Sequence, residues 1–487
     1  MSDILPINLS LIAHTNVGKT TLARTLLGHD VGEVKDEAHT TFEATPHSLI
    51  DTPEGDVLLL WDTPGFGDSA RLLNRLKQQG NPIGWFLSEV WDRYKDRAFW
   101  LTQVAVRHVH DQADVILYLV NASERPEDAG YLAPELAVLE WAGKPVIVLL
   151  NQTGPPRPPA EEREDEARWR DALKPWGNIK DVLPMDAFAR CWVQEFSLFL
   201  AIRRVLPADQ CASFERLEAG WKARRLKQFG DAMDALAQPI AHAACDSSPL
   251  PEKSFLNQLG EWIGLPHKTA RKEMEAAIHV MGGRLEKNLQ ESAEQLIAIH
   301  ELKGHAADTL RARISDVAES NVPLDAKKAA GIFGLLSGAL GGLGADLMAG
   351  GMTFGGGMLV GAVLGALGGA GVAQGVNVVR GTKAARLRWD EVFLDGLVIS
   401  ALMRYLAVAH FGRGRGEWQE SESPPFWLEL VSQSVTDRKI LLHEIWTLRD
   451  TGCDSSRINA EIKPVLEDTT RALLSVLHPD GEKLNAE

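Results

Sequence analysis

Along the N-terminal third of the chain, short apolar runs alternate with stretches whose apolar positions recur every three or four residues. Ile7 to Ile12, Val57 to Asp62, Ala113 to Ala122 and Lys144 to Gln152 have the length of strands. The last two are apolar almost throughout, as expected for central strands of a parallel sheet covered on both faces. Asp181 to Asp186 is a weaker candidate for a final strand. Helical spacing begins with T-L-A-R-T-L-L at Thr21 to Leu27 and recurs between the runs. Strand and helix in alternation predict an α/β fold built on a mostly parallel sheet, followed by a mainly α-helical domain.

From Cys191 to Val322 the periodicity is helical, with breaks near Pro207 and at Cys245 to Pro251 and no strand-like run. Ala384 to Phe411 reads as an amphipathic helix carrying Leu387, Val392, Leu394, Leu397, Leu402 and Leu406. Two further helices are expected near Phe426 to Arg449 and Ser456 to Leu477.

Between Ala329 and Val379 the pattern changes, because Asp346 is the single charge there. Ala330, Gly334, Gly338 and Gly342 repeat at every fourth position, as do Gly357, Gly361, Gly365 and Gly369, which puts each set on one helix face. Each glycine within a helix costs about 1 kcal/mol relative to alanine. Close packing of small-residue stripes, or a bilayer that denies the backbone other partners, offsets that cost. Each half, Ala329 to Ala349 and Met358 to Val379, has about the twenty residues needed to cross hydrocarbon. Lys327 and Lys328 precede the first half, and Arg380, Lys383, Arg386 and Arg388 follow the second. A hydrophobic helical hairpin would thus keep both ends on the cytoplasmic side. The competing reading is a glycine-zipper hairpin buried within the protein or in a self-associated form.

Composition narrows the partners. A formal charge of -15 argues against a general nucleic-acid binder. Cys191, Cys211, Cys245 and Cys453 form no C-x-x-C pair, so they read as ordinary thiols of a reducing compartment. The first residues lack the basic-then-apolar order of a secretory signal, which leads to the expectation of a cytoplasmic protein.

The candidate chemistry lies after the first strand. A-H-T-N-V-G-K-T-T, Ala13 to Thr21, is a phosphate-binding loop in strand-loop-helix context with Ala13 where the pattern asks for Gly. A methyl group is tolerable there if the backbone keeps φ below zero. His14, Thr15, Asn16, Val17, Gly18, Lys19, Thr20 and Thr21 would then surround the phosphates. Lys19 reaches the outer phosphates, and the Thr20 hydroxyl takes Mg²⁺. D-T-P-G at Asp62 to Gly65 supplies a second element: Asp62 for Mg²⁺ and the Gly65 N–H as a sensor of the γ-phosphate. H-T-T-F at His39 to Phe42 offers a threonine to close over the metal, and Thr41 is favoured. An aromatic-rich insertion separates Ser69 from Gln112, with Trp85, Phe86, Trp91, Tyr94, Phe99 and Trp100 at near-helical intervals. Core packing is its usual explanation; an effector surface is the alternative.

These motifs resemble a translation-factor-class small GTPase of the Era and TrmE type. The resemblance implies GTP and GDP as ligands, Mg²⁺, and a K⁺ ion held with the help of Asn16. It implies that Lys19, Thr41, Gly65 and Asn16 carry catalysis. Phe66 stands where Ras-like enzymes carry a water-orienting glutamine, and no side chain at that position can polarise a water. The family places N-K-x-D after the fifth strand, but here Asn151 is followed by Gln152, Thr153 and Gly154. The carboxylate that reads guanine is missing, which puts guanine preference in doubt. Asn151 and Gln152 remain candidates for the base, and Asp186 could supply acid from the next loop.

The whole layout resembles a family of bacterial proteins joining an Era-like GTPase domain, a helical domain of unknown function and a glycine-rich hydrophobic hairpin. The implied organisation is a GTPase domain over 1–205 with an insertion near 70–112, a helical domain over 206–328, the hairpin over 329–379 and a C-terminal helical region over 380–487. The expected function is a membrane-associated nucleotide switch at the cytoplasmic face of the inner membrane, with a membrane or membrane-protein partner. A weakly hydrolysing scaffold, a ribosome-associated GTPase and pore formation by the hairpin are the alternatives.

Overall fold

The computed structural model describes residues 6–28, 44–78, 97–154, 157–187, 191–249, 268–301, 376–380, 385–410, 425–452 and 454–479. The chain divides into two compact units. The first holds the chain up to Leu226 together with His410 and the stretch from Ser475; the second holds Lys227–Ala409 and Glu417–Leu474.

The first unit is organised by a six-stranded sheet of order β2-β3-β1-β4-β5-β6. Its strands are β1 (Ile7–Ala13), β2 (Thr45–Asp51), β3 (Val57–Asp62), β4 (Val115–Asn121), β5 (Val146–Asn151) and β6 (Ile179–Pro184). Only the β2–β3 pair is antiparallel. Helices α1 (Lys19–Leu27), α2 (Ser69–Gln78), α3 (Arg97–Gln112), α4 (Leu132–Ala142) and α5 (Pro159–Leu173) alternate with the strands, as the apolar pattern predicts.

Both faces of the central strands are covered. Ile116, Tyr118 and Val120 join Ile12, Phe99 and Leu136 in one apolar cluster, while Leu9, Leu11, Leu117 and Leu119 are equally buried on the other face. Each such side chain contributes about 1.5–3 kcal/mol of burial. Registers Leu11↔Asp62, Ala13↔Leu119 and Asn121↔Asn151 bring the carboxyl ends of β1, β3, β4 and β5 to one edge. In open parallel sheets, ligands bind outside that edge.

Helix α6 (Trp192–Val205) and the first half of the long α7 (Ala208–Cys245) complete this unit. Phe199 stacks on Trp221 at 4.8 Å, and Trp221 Nε1 donates to Glu195 Oε2 at 2.8 Å. Arg216 clamps Asp56, in the turn between β2 and β3, with bonds of 2.6 and 2.8 Å. Ser213 adds a hydroxyl to the same carboxylate.

The second unit contains the rest of α7, α8 (Lys268–Ile299), α9 (Glu391–Ala409), α10 (Pro425–Thr436), α11 (Lys439–Thr447) and α12 (Ser455–Leu477). A small antiparallel sheet of order β7-β9-β8 joins β7 (Ser247–Pro249), β8 (Val376–Arg380) and β9 (Ala385–Trp389). Helix α9 is long and apolar enough to cross a membrane by composition, yet 89% of its apolar window is buried against the protein.

Several expectations are corrected here. Ala385–Trp389 is a strand, because A-R-L-R-W alternates: Leu387 and Trp389 face inward, while Arg386 and Arg388 reach Ser247 and Asp450. Val376 to Val379, counted with the second apolar half, are also strand, as their β-branched residues favour. Ser247–Pro249 pairs with β9 although the region reads as helix and breaks. Glu391–Ala409 is buried nearly all round rather than amphipathic. The helix expected over Phe426 to Arg449 is split, with Asp437 and Arg438 between α10 and α11. Cys191 and Cys211 form no disulfide, whereas Cys245 is disulfide-bonded, a through-space pairing that sequence spacing does not report. The glycine-rich segment before Val376 and the loop at His39 to Phe42 lie outside the described residues.

Candidate functional site

The loop between β1 and α1 is shaped by two left-handed residues, Asn16 at φ 68° and Gly18 at φ 91°. Gly18 is the N-cap of α1, so the unpaired N–H groups of the first turn open onto the loop. A helix N-terminus of this kind favours an anion. Ala13 remains in the strand, paired with Leu119 and fully buried, and it is absent from the positive-φ residues. Its methyl group therefore costs the loop little.

Lys19 is buried with its ammonium close to Gly65: a Cβ added there would lie 2.9 Å from Lys19 Nζ and 3.1 Å from the Thr15 Cα. Burial pulls the Lys19 pKa down, while Asp62 and Glu135 pull it back up. Thr20 Oγ1 donates to Asp62 Oδ2 at 2.7 Å. Asp62 Oδ1 is buried without a hydrogen-bond partner among the described residues. Desolvation raises the Asp62 pKa, opposed first by the Thr20 bond and then by Lys19. A buried, half-satisfied carboxylate beside a hydroxyl is a donor set that suits Mg²⁺.

The D-T-P-G segment is fastened to the loop. Phe66 N donates to Ala13 O at 2.9 Å, while the N–H and the hydroxyl of Thr15 both donate to Phe66 O. The Phe66 ring points into the apolar cluster. Thr102 of α3 accepts from the N–H groups of Gly67 and Asp68, which fixes the stretch that follows.

At the far side, Asn151 ends β5. Its Nδ2 donates to Val17 O at 2.6 Å, and its Oδ1 accepts from Ala187 N at 2.8 Å. Gln152 has φ 58° and approaches Gly18. Asp186 Oδ2 accepts from the N–H and the hydroxyl of Thr153, both at 2.8 Å, so an acid from the next loop does stand against the N-Q-T-G stretch.

The structure thus brings His14 to Thr21, Asp62, Gly65, Asn151 and Gln152 to one edge of the sheet. Val17 and Thr21 are buried and Asn16 is exposed. Thr41 lies outside the described residues, as do Trp85, Phe86, Trp91 and Tyr94. Of the insertion aromatics, Phe99 is core, with Arg71 over its ring at 4.2 Å.

Sequence reasoning missed a second polar group under the loop. Glu135 of α4 is fully buried; Tyr118 OH donates to its Oε2, and His14 Nδ1 lies near its Oε1, both at 2.7 Å. His14 also stacks on Tyr131. The available signal was one glutamate inside the apolar stretch L-A-P-E-L-A-V-L, since a buried acid needs partners.

Fold and loop define a P-loop GTPase domain, and residues 8–152 match the family model described as 50S ribosome-binding GTPase. Residues 176–459, more than half the chain, match the model described as Domain of unknown function (DUF3482), and the chain belongs to that family. Some solved structures are similar at low identity. One is Era in complex with MgGDPNP and nucleotides 1506-1542 of 16S ribosomal RNA, at 20% identity and TM-score 0.30 over 42% of this chain and 57% of that one. The match thus spans little more than half of that protein's length. A second is an Aquifex aeolicus Era variant bound to GDP·AlF4⁻, at 17% identity and TM-score 0.30 over 60% of this chain and 89% of that one. A third is an oligomerised bacterial dynamin pair, at 10% identity and TM-score 0.27 over 99% and 78%. No curated protein matches the sequence.

Residues 8–152 therefore form a GTPase-family domain, the class of domain that binds guanine nucleotide.

Proposed function

We propose that the chain is a GTP-operated switch at the cytoplasmic face of the inner membrane. The observation that carries this reading is the Thr20–Asp62 hydrogen bond beside a Lys19 ammonium that lies close to Gly65. Lys19 and the α1 N-terminus hold the phosphates, while Thr20 and Asp62 hold Mg²⁺. When bound, that ion neutralises charge on the phosphate oxygens. Gly65, which lies close to Lys19 and Thr15, registers the γ-phosphate, and the segment from Phe66, whose carbonyl Thr15 holds, transmits its presence.

Asn16 is exposed on the loop and carries an amide oxygen, the donor type a monovalent cation takes. We assign it to K⁺, which would supply the positive charge that an arginine finger otherwise brings to the phosphates. Asp186 is the acid we assign to guanine, in place of the missing N-K-x-D carboxylate. The apolar segment bracketed by Lys327, Lys328 and Arg380 supports the membrane location and is also the surface we assign to self-association.

Burial of Phe66 favours a second reading, a scaffold that holds nucleotide and turns it over slowly. GTP turnover in KCl against NaCl separates the two. A K⁺-dependent rate that Asn16→Ala abolishes supports the switch; an equally slow rate in both salts supports the scaffold. Titration with GTP, ATP and XTP tests the base. GTP is expected to bind tightest, with Asp186→Asn shifting preference toward XTP, and equal affinities would defeat the guanine assignment. Flotation with liposomes of anionic lipid tests the membrane location, and a chain that stays at the bottom in every nucleotide state would refute it.

A further inference from the structure

The first unit is assembled from three separate stretches of chain, and one side chain from each meets in a single cluster. Cys191 comes from the stretch up to Leu226, His410 from the second stretch and His478 from the third. Cys191 Sγ and one nitrogen from each histidine all lie within 4.8 Å of one another. His410 Nε2 and His478 Nε2 are 2.9 Å apart, with the rings stacked at 5.1 Å between centroids. Cys191 and His410 are buried and His478 is partly so.

We propose that Cys191, His410 and His478 bind a zinc ion that staples these three stretches together. A thiolate and two imidazoles are the donors zinc takes, and three protein ligands leave its fourth tetrahedral position to water or a further group. Tetrahedral Zn–N and Zn–S bonds put donor atoms about 3.3–3.7 Å apart, so the cluster needs only small adjustments.

One further observation agrees with a metal. Cys191 precedes the first turn of α6, and its N–H donates to Gln194 Oε1 at 3.0 Å, which fixes the cysteine at the end of the helix where an anionic sulfur is favoured. A bare imidazole–imidazole hydrogen bond would need no sulfur beside it.

The test uses the full chain, dialysed free of loose metal. Elemental analysis is expected to find about one zinc per chain, and a strong chelator is expected to lower the melting temperature by several degrees, since metal bound only to the folded state stabilises it. Cys191→Ser and His478→Asn are expected to lose the zinc while keeping GTP affinity, which reads the fold of the nucleotide loop. A metal-free chain whose melting point ignores both zinc and chelator overturns the proposal, as does unchanged stoichiometry in the variants. Should the variants fail to fold, Co²⁺ titration of the wild-type apo chain decides: a thiolate charge-transfer band supports the site, and its absence refutes it.

Discussion

Glu135 and His14 stand 2.7 Å apart at the base of the phosphate loop, and the other oxygen of Glu135 holds the Tyr118 hydroxyl. The helix α4 thereby grips the first residue after β1 from beneath. Burial raises the Glu135 pKa, although His14, Tyr118 and Lys19 oppose it. A carboxyl whose folded pKa lies above its unfolded value supports folding at low pH, and that support is lost as pH rises through the folded value. Glu135→Gln is expected to remove this pH dependence and to leave stability at neutral pH equal to or above that of wild type. Glu135→Ala strands a fully buried tyrosine hydroxyl and is expected to cost about 1–3 kcal/mol. Urea unfolding of both variants across pH checks this. A glutamine variant as unstable as the alanine one would show that the charge itself is required.

Lys19 and Asp62 make opposite contributions beside the phosphate loop. Lys19→Ala is expected to lower GTP affinity by about a hundredfold or more, roughly 3 kcal/mol, because a charge-assisted phosphate contact is lost. Asp62→Asn keeps the shape and removes a carboxylate whose charged form burial disfavours. The apo chain is therefore expected to gain stability while Mg²⁺ ceases to strengthen GTP binding. Calorimetric titration with and without Mg²⁺ reads both effects, and Mg²⁺ dependence that survives Asp62→Asn would remove Asp62 from the metal.

What the sequence revealed follows from how local each signal is. The strands β1, β3, β4 and β5 are continuous apolar runs, and the loop from His14 to Thr21 is one contiguous motif, so both were readable. β9 escaped notice because five alternating residues, A-R-L-R-W, were read within a longer helical window. Glu135 and Thr102 depend on partners far along the chain: Glu135 on His14, Thr102 on Gly67. Nothing in local periodicity encodes such pairings. The Asp56–Arg216 clamp is of the same kind.

That clamp makes a pH prediction of the opposite sign. Bonding to Arg216, then to Ser213 and Thr52, holds the Asp56 pKa down to about 2 against the cost of burial. A depressed carboxyl contributes stability above its unfolded pKa, about 3.9, and loses it as pH falls toward 2. Asp56→Asn should therefore flatten the acid limb of the stability profile and lower the melting temperature at neutral pH. Arg216→Met should reproduce the neutral-pH loss. Acid unfolding midpoints identical in wild type and Asp56→Asn would show that the clamp contributes nothing.

Gly18 and Gly28 offer a controlled pair at the two ends of α1. Both have positive φ, 91° and 76°, so alanine at either position meets left-handed strain of about 1–2 kcal/mol. Their surroundings differ. A Cβ on Gly28 meets nothing within 4 Å, whereas one on Gly18 would lie 2.9 Å from Asn151 Nδ2. That amide is committed at both ends, to Val17 O and to Ala187 N, and it cannot yield without loosening the loop or the segment after β6. Gly28→Ala is accordingly expected to lower stability by the strain alone and to leave GTP affinity within about twofold. Gly18→Ala is expected to lose more stability and at least tenfold in GTP affinity, roughly 1.4 kcal/mol, because the side chain that joins loop and base end is displaced. Thermal unfolding and nucleotide titration on the two variants separate strain from contact. Equal affinity losses would mean that the placement of Asn151 has no part in nucleotide binding.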